Sequence, residues 1–275
     1  MSLTPFVLVV FIGSFAQMVD GSLGMGFGVF SSSLLLATGF APAVAMATVN
    51  AAKLFTGLAS GVSHLGLGNV RRDWFLPLML PGIGGGALGA YLMGSLSPDL
   101  VRPWVGLLLV AMGVLVLWRF SPWRQVTSAG TRPCQDCPSR CLGLLQAGSG
   151  NGIPLPSRLA LVGLAASFAT AVSGAYGPVA TTLLLVLMRA TPRYAVGTVN
   201  LAEFFVAGTV ALTYLGVLGL SAFRWDLVAA LSLGGLATAP LAAYLCRHFS
   251  PQALGFFIGV GLVGLNFRPM LSLFG

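Results

Sequence analysis

The chain has 275 residues, of which 56% are hydrophobic and only 7% charged, with a formal net charge of +8. Soluble domains carry about a quarter charged residues, so these few charges cannot cover a globule of this size, and most of its surface must face lipid. The positive balance does not point to nucleic acid, because there is no basic stripe with interleaved aromatic residues. Continuous apolar runs likewise exclude the alternating pattern of a membrane β-barrel.

The first apolar run, Thr4–Met18, has no basic segment before it and no small-residue cleavage site, so it is expected to be a membrane element rather than a secretory signal. It is followed by Gly24–Phe40, Val44–Leu67, Trp74–Ser95 and Trp104–Trp118. The series resumes with Leu159–Val172, Pro178–Leu187, Tyr194–Leu218, Trp225–Cys246 and Leu254–Leu265. A crossing needs about 20 residues. The third and fourth runs of each half are long enough, whereas the first two are short and divided by glycine, as in a broken pair. The expected fold is an all-α integral membrane protein with about eight to ten membrane segments, including short broken or re-entrant pairs. The expected organisation is an N-terminal membrane repeat over 1–118, a polar, cysteine-containing cytoplasmic linker over 119–157 and a C-terminal membrane repeat over 158–275.

The repeat is visible in the residues. Ala47-Thr48-Val49-Asn50-Ala51-Ala52-Lys53-Leu54-Phe55 matches Gly197-Thr198-Val199-Asn200-Leu201-Ala202-Glu203-Phe204-Phe205, and Pro42 matches Pro192. Ala90-Tyr91-Leu92 with Ser97-Pro98 matches Ala243-Tyr244-Leu245 with Ser250-Pro251. Trp74 and Trp225 open equivalent helices, and Gly21 and Gly24 match Gly174 and Gly177. Duplicated halves are a common transporter architecture, with the site at their interface. Placing the linker inside puts Arg71, Arg72, Arg119, Arg124, Arg132, Arg140, Arg158, Arg189, Arg193 and Arg247 inside and leaves Arg102, Arg224 and Arg268 outside. That bias favours inverted repeats with the N-terminus outside.

Ionisable residues at membrane depth usually face a cavity or a partner. Asp20, Lys53 and Glu203 lie within apolar runs or at their glycine breaks. Lys53 and Glu203 occupy equivalent positions, so two-fold packing would bring them together. They then either attract an anion and exchange a proton, or form an ion pair that fixes the halves. Asp20 is a second candidate for coupling, although its position also suits a solvated helix end.

The break Gly21-Ser22-Leu23-Gly24-Met25-Gly26-Phe27-Gly28, followed by Ser31-Ser32-Ser33, is matched by Ser173-Gly174-Ala175-Tyr176-Gly177-Pro178, followed by Thr181-Thr182. A helix starting at such a break offers free N–H groups and a positive dipole end to an anion. Gly24, Gly26, Gly28, Ser31, Gly174 and Gly177 are therefore expected to line a substrate site, together with Lys53 and the hydroxyl and amide groups of Thr48, Asn50, Thr198 and Asn200. Small residues also serve close helix packing, and that is the reading of Gly82-Ile83-Gly84-Gly85-Gly86 with Gly89. His64 and its counterpart Tyr214 suit an interface. Cys134, Cys137 and Cys141 in the linker are weak candidates for a metal or redox site, since a closed zinc site needs a fourth ligand.

As a set, several of these residues resemble the TauE/SafE family, also called the sulfite exporter or DUF81 family. They are the glycine-rich first hairpin leading through Ser31-Ser32-Ser33 to Ala41-Pro42 and Ala45-Met46-Ala47-Thr48, then Gly68-Asn69-Val70 before Asp73-Trp74, the glycine-rich fourth segment and Tyr194-Ala195-Val196-Gly197-Thr198. The cysteine-bearing linker is not part of that pattern. The resemblance implies transport of sulfite, thiosulfate, sulfoacetate or related organosulfonates across the bacterial inner membrane, with substrate at the glycine breaks and the Thr-Val-Asn turns. It implies a transporter rather than an enzyme, with no cofactor. No nucleotide-binding Gly-x-x-x-x-Gly-Lys-Ser/Thr motif is present, so coupling falls to an ion gradient, protons among them. The competing readings are a thiol-redox membrane protein using the linker cysteines and an uncoupled anion channel.

Overall fold

The structure, a computed structural model, describes residues 3–120, 155–187, 190–246 and 260–267. Among these residues every regular element is helical. In chain order they are α1 (Leu3–Leu23), α2 (Phe27–Ala37), α3 (Pro42–Gly66), α4 (Arg72–Ser95), α5 (Pro98–Phe120), α6 (Leu155–Ser173), α7 (Tyr176–Leu187), α8 (Pro192–Leu218) and α9 (Trp225–Leu245). Helix also covers 260–267. Cys134, Cys137 and Cys141 lie outside the described residues.

Among the described residues six helices are long and apolar enough to cross a membrane: α1, α4, α5, α6, α8 and α9. This corrects one expectation. The first helix of each half is not short: α1 has 21 residues and α6 has 19. The apolar runs understate them because α1 continues through Asp20 and α6 starts four residues before Leu159. Only the second member of each pair is short, with 11 residues in α2 and 12 in α7. Although α3 has 25 residues, Thr48, Asn50, Lys53, Thr56, Ser60 and His64 dilute its apolarity, and all six are buried. Large apolar side chains point outward instead, as Leu3, Phe11 and Leu212 do. Apolar residues outside and polar residues inside suit a lipid solvent.

Small residues hold the two halves together. Gly13 sits against the backbone of Leu231, and Ser14 donates to the Gly234 carbonyl (3.1 Å), so α1 lies on α9. The same contact recurs with the halves exchanged: Gly163 sits against Leu78, and α6 lies on α4. Gly21 abuts Ala242 as Gly89 abuts Ala171. A methyl group at any of these glycines would meet the neighbouring helix, which explains the small residues without invoking a ligand. The glycine-rich run of α4 behaves as expected, with Gly82, Gly85 and Gly86 facing α6 and α8.

The centre is the pair α3 and α8. Both begin with proline at the first helical position after an extended residue, where the missing N–H costs nothing. They run antiparallel. Thr198, near the start of α8, accepts a hydrogen bond from the Arg71 N–H (2.9 Å), just past the end of α3. Thr48, near the start of α3, accepts one from the Arg224 N–H (3.3 Å), just past the end of α8. Arg71 and Arg224 each pair with the aspartate two residues on, Asp73 and Asp226. The residue-level match therefore runs Arg71-Arg72-Asp73 onto Arg224-Trp225-Asp226. Trp74 and Trp225 open equivalent helices but occupy different positions: Trp74 is buried and Trp225 exposed.

Candidate functional site

Two glycine breaks end α1 and α6. Gly24 has φ +68° and Gly174 has φ +77°, a left-handed conformation that costs a side chain but not glycine. Each break turns the chain into a short helix, α2 or α7. The sequence match of Gly24 to Gly177 is thus one turn out of step. Gly24 corresponds to Gly174, at the 150-residue separation that also relates Lys53 and Glu203. Gly28 corresponds to Gly177, because the second break is one residue shorter. The contacts are reciprocal: Gly28 packs against the Gly174 carbonyl, and Gly177 against the Gly24 carbonyl. Hydroxyls repeat the exchange, with Ser32 donating to the Ser173 carbonyl (2.9 Å) and Thr181 to the Gly24 carbonyl (2.8 Å). The two breaks therefore face each other across the molecule.

Lys53 and Glu203 meet beside this crossing. Their side chains form a direct ion pair and are 4% and 6% exposed. The Lys53 ammonium also points to the Gly174 carbonyl (3.4 Å) and lies against Gly28. Gly28 leaves no room for a methyl group there, so a side-chain-free residue is what lets Lys53 reach the break.

Asp20 is not the solvated helix end that its position suggested. It is buried, and it lies within electrostatic reach of both Glu203 and Lys53. The fold-back of α2 covers it. Its Oδ1 accepts from the Phe27 N–H (3.2 Å), the first residue of α2. The positive end of that short helix is thus already held by an internal carboxylate. At the equivalent place in the other half, Thr170 Oγ1 accepts from the Tyr176 N–H (3.0 Å), opening α7. One break is capped by a carboxyl group and the other by a hydroxyl.

The remaining candidates divide into two groups. Asn200 joins the cluster, donating to the Asp20 carbonyl (3.4 Å) and the Val196 carbonyl (3.0 Å) and accepting from Ser60 (3.1 Å). Asn50 donates to Met46 (2.8 Å), and its buried Oδ1 has no hydrogen-bond partner among the described residues. Nor does the buried Ser31 hydroxyl. Thr48 and Thr198, by contrast, are engaged by Arg224 and Arg71, about a turn and a half along their helices from Lys53 and Glu203. Gly24 and Gly26 shape the break and approach Thr181 and Val19, respectively.

Sequence reasoning missed Ser60, Thr170 and Tyr176. Tyr176 is fully buried and within electrostatic reach of Glu203. Its hydroxyl lies beside that of Ser167 without a hydrogen bond of ordinary geometry. Thr170 could have been found by applying the Lys53-to-Glu203 separation to Asp20. His64 and Tyr214, expected at an interface, reach equivalent backbone carbonyls from equivalent positions. His64 Nε2 lies 2.9 Å from Gly21 O, and the Tyr214 hydroxyl donates to Ala171 O (2.7 Å).

Lys53 thus pairs with Glu203 within electrostatic reach of Asp20, beside two opposed helix starts, and among the described residues no group of three or more His, Cys, Asp or Glu could hold a metal ion. The comparisons with known proteins agree with a transport role. The chain is 38% identical over 267 residues to the probable membrane transporter protein YtnM of Bacillus subtilis (strain 168), covering 97% of this chain and 83% of that protein. No solved structure matches. The sulfite exporter TauE/SafE profile matches residues 9–268, almost the whole length. This multi-pass membrane transporter therefore belongs to the TauE/SafE sulfite exporter family.

Proposed function

We propose that the chain is a secondary transporter of small sulfur-containing oxyanions such as sulfite, thiosulfate or sulfoacetate in a bacterial inner membrane. In this reading the substrate binds where the two breaks cross, and two repeats of opposite orientation rock about it. The observation that carries it is Lys53. It is a buried ammonium aimed at a helix break, and it sits where two equivalent helices, α3 and α8, pass antiparallel. Antiparallel passage of equivalent helices supports an inverted repeat, and a site on the axis between such repeats is exposed to either side by the same rocking motion. The Ser31 hydroxyl, buried and without a hydrogen-bond partner among the described residues, adds a donor for an oxyanion oxygen. Glu203 would hand the ammonium to the substrate and supply the link to a proton gradient.

The test is uptake of radiolabelled sulfite and thiosulfate into proteoliposomes, with Lys53→Ala beside the wild type. Saturable uptake that the variant loses supports the proposal. Saturable uptake unchanged in the variant removes Lys53 from the site. No uptake of sulfite, thiosulfate or sulfoacetate under any imposed pH or voltage gradient rejects the substrate class.

A further inference from the structure

Two features of this interior can hold an oxyanion, and the chain's own carboxylates hold both. The N-terminus of α2 donates its Phe27 N–H to Asp20 Oδ1 (3.2 Å). The Lys53 ammonium is paired with Glu203. We infer that Asp20 and Glu203 stand in for the substrate, that each yields its place by taking up a proton, and that protons therefore cross with the oxyanion. This rests on the transport reading above and specifies its coupling ion.

The charge count requires it. One ammonium and two carboxylates leave the cluster with one surplus negative charge when all are ionised. An incoming anion would add at least one more within an interior where Asp20, Lys53 and Glu203 are each at most 5% exposed. Unpaired buried charge is strongly disfavoured, so the acids neutralise instead. A protonated carboxyl is a weaker acceptor than a carboxylate. Protonating Asp20 loosens its hold on Phe27, and protonating Glu203 releases Lys53. Both positions then open to the oxygens of one anion. Departure of the anion returns the ammonium to Glu203 and the helix end to Asp20, and the protons leave.

Among the described residues few other groups compete for the proton. Tyr176 of α7 faces Glu203 and is a phenol. His64 of α3 reaches the Gly21 carbonyl, next to Asp20, and its other ring nitrogen meets Asn69 (3.1 Å). The charged side chains of α4, α6 and α9, namely Arg72, Asp73, Arg158 and Asp226, belong to the first turns of those helices, away from the breaks. The equivalent helix start, at α7, is capped by the neutral Thr170, so the second half adds no proton there.

The experiment uses proteoliposomes with a pH-sensitive dye in the lumen and an inward gradient of radiolabelled thiosulfate. Thiosulfate stays ionised at neutral pH, so it cannot carry a proton across by itself. Label entry with matching lumenal acidification is the expected result, and a protonophore should abolish the acidification while label still enters. The double variant Asp20→Asn/Glu203→Gln, whose amides keep the shapes and take no proton, should carry close to zero protons per thiosulfate whatever rate remains. Wild-type label entry without acidification, or entry that requires sodium, overturns the inference and leaves the transport reading intact. Entry of no label with thiosulfate or with sulfoacetate, likewise ionised at neutral pH, overturns both. If the double variant does not fold, the wild-type ratio decides alone.

Discussion

Removing the ammonium should destabilise the protein more than removing the whole ion pair. Lys53→Met keeps most of the side-chain volume, so little cavity is created, but it leaves the Glu203 carboxylate buried without its partner at 6% exposure. Breaking one side of a buried pair costs about 3–5 kcal/mol, whereas replacing both sides by well-packed apolar groups is often close to neutral. At about 1.4 kcal/mol per tenfold, the single variant should shift the unfolding constant by roughly two to three and a half powers of ten. The double variant Lys53→Met/Glu203→Met should recover about 2 kcal/mol or more of that loss, since the orphaned charge is gone. Equilibrium unfolding in mixed micelles, followed by tryptophan fluorescence, measures both, and the buried Trp74 reports on the interior. Losses below about 1 kcal/mol for Lys53→Met, adding simply to those of Glu203→Met, would refute the argument that this pair is a dry, mutually dependent unit.

Three further outcomes follow from the same geometry. Gly28→Ala would place a methyl group against Lys53 and the Gly174 carbonyl; overpacking of this kind costs about 1–3 kcal/mol. The variant should lose thermal stability and oxyanion affinity together, whereas Gly66→Ala, in open space at the end of α3, should change neither on the same melting and uptake assays. Tyr214→Phe leaves the Ala171 carbonyl without the Tyr214 hydroxyl and should cost about 1–3 kcal/mol, the usual penalty for an orphaned buried group; a melting point indistinguishable from wild type would mean that another group satisfies that carbonyl. Thr170→Val removes the cap of the Tyr176 N–H and should destabilise by about 1 kcal/mol, while Thr170→Asp, which adds a third carboxylate beside Asp20 and Glu203, should lower oxyanion affinity in a binding titration.

Much of this architecture was legible in the chain because lipid imposes simple rules. Long apolar runs gave the helices, and the paired Thr-Val-Asn turns gave the meeting of Lys53 with Glu203. Helix ends were less legible, since α1 continues through a charged residue that only tertiary burial makes tolerable. The glycine match slipped by one turn because glycine is too common here for identity alone to set a register; the positive φ of Gly24 and Gly174 sets it instead. The burial of Asp20 is not legible locally, because nothing near it in sequence says that α2 folds back over it, so both coupling and a solvated helix end suit its position. At each helix start the first N–H is taken by a side chain of the preceding helix, Asp20 for Phe27 and Thr170 for Tyr176. That occupancy depends on residues six and seven positions earlier, beyond the reach of capping patterns.

The most direct measurement is the position of a bound oxyanion. Crystals grown with selenite, a selenium analogue of sulfite, would locate it by anomalous scattering. The account predicts one peak within hydrogen-bond distance of the Lys53 ammonium, between the breaks at Gly24–Gly28 and Gly174–Gly177, and lost in Lys53→Ala. A peak elsewhere in the membrane interior, with Lys53 and Glu203 still paired, would contradict it.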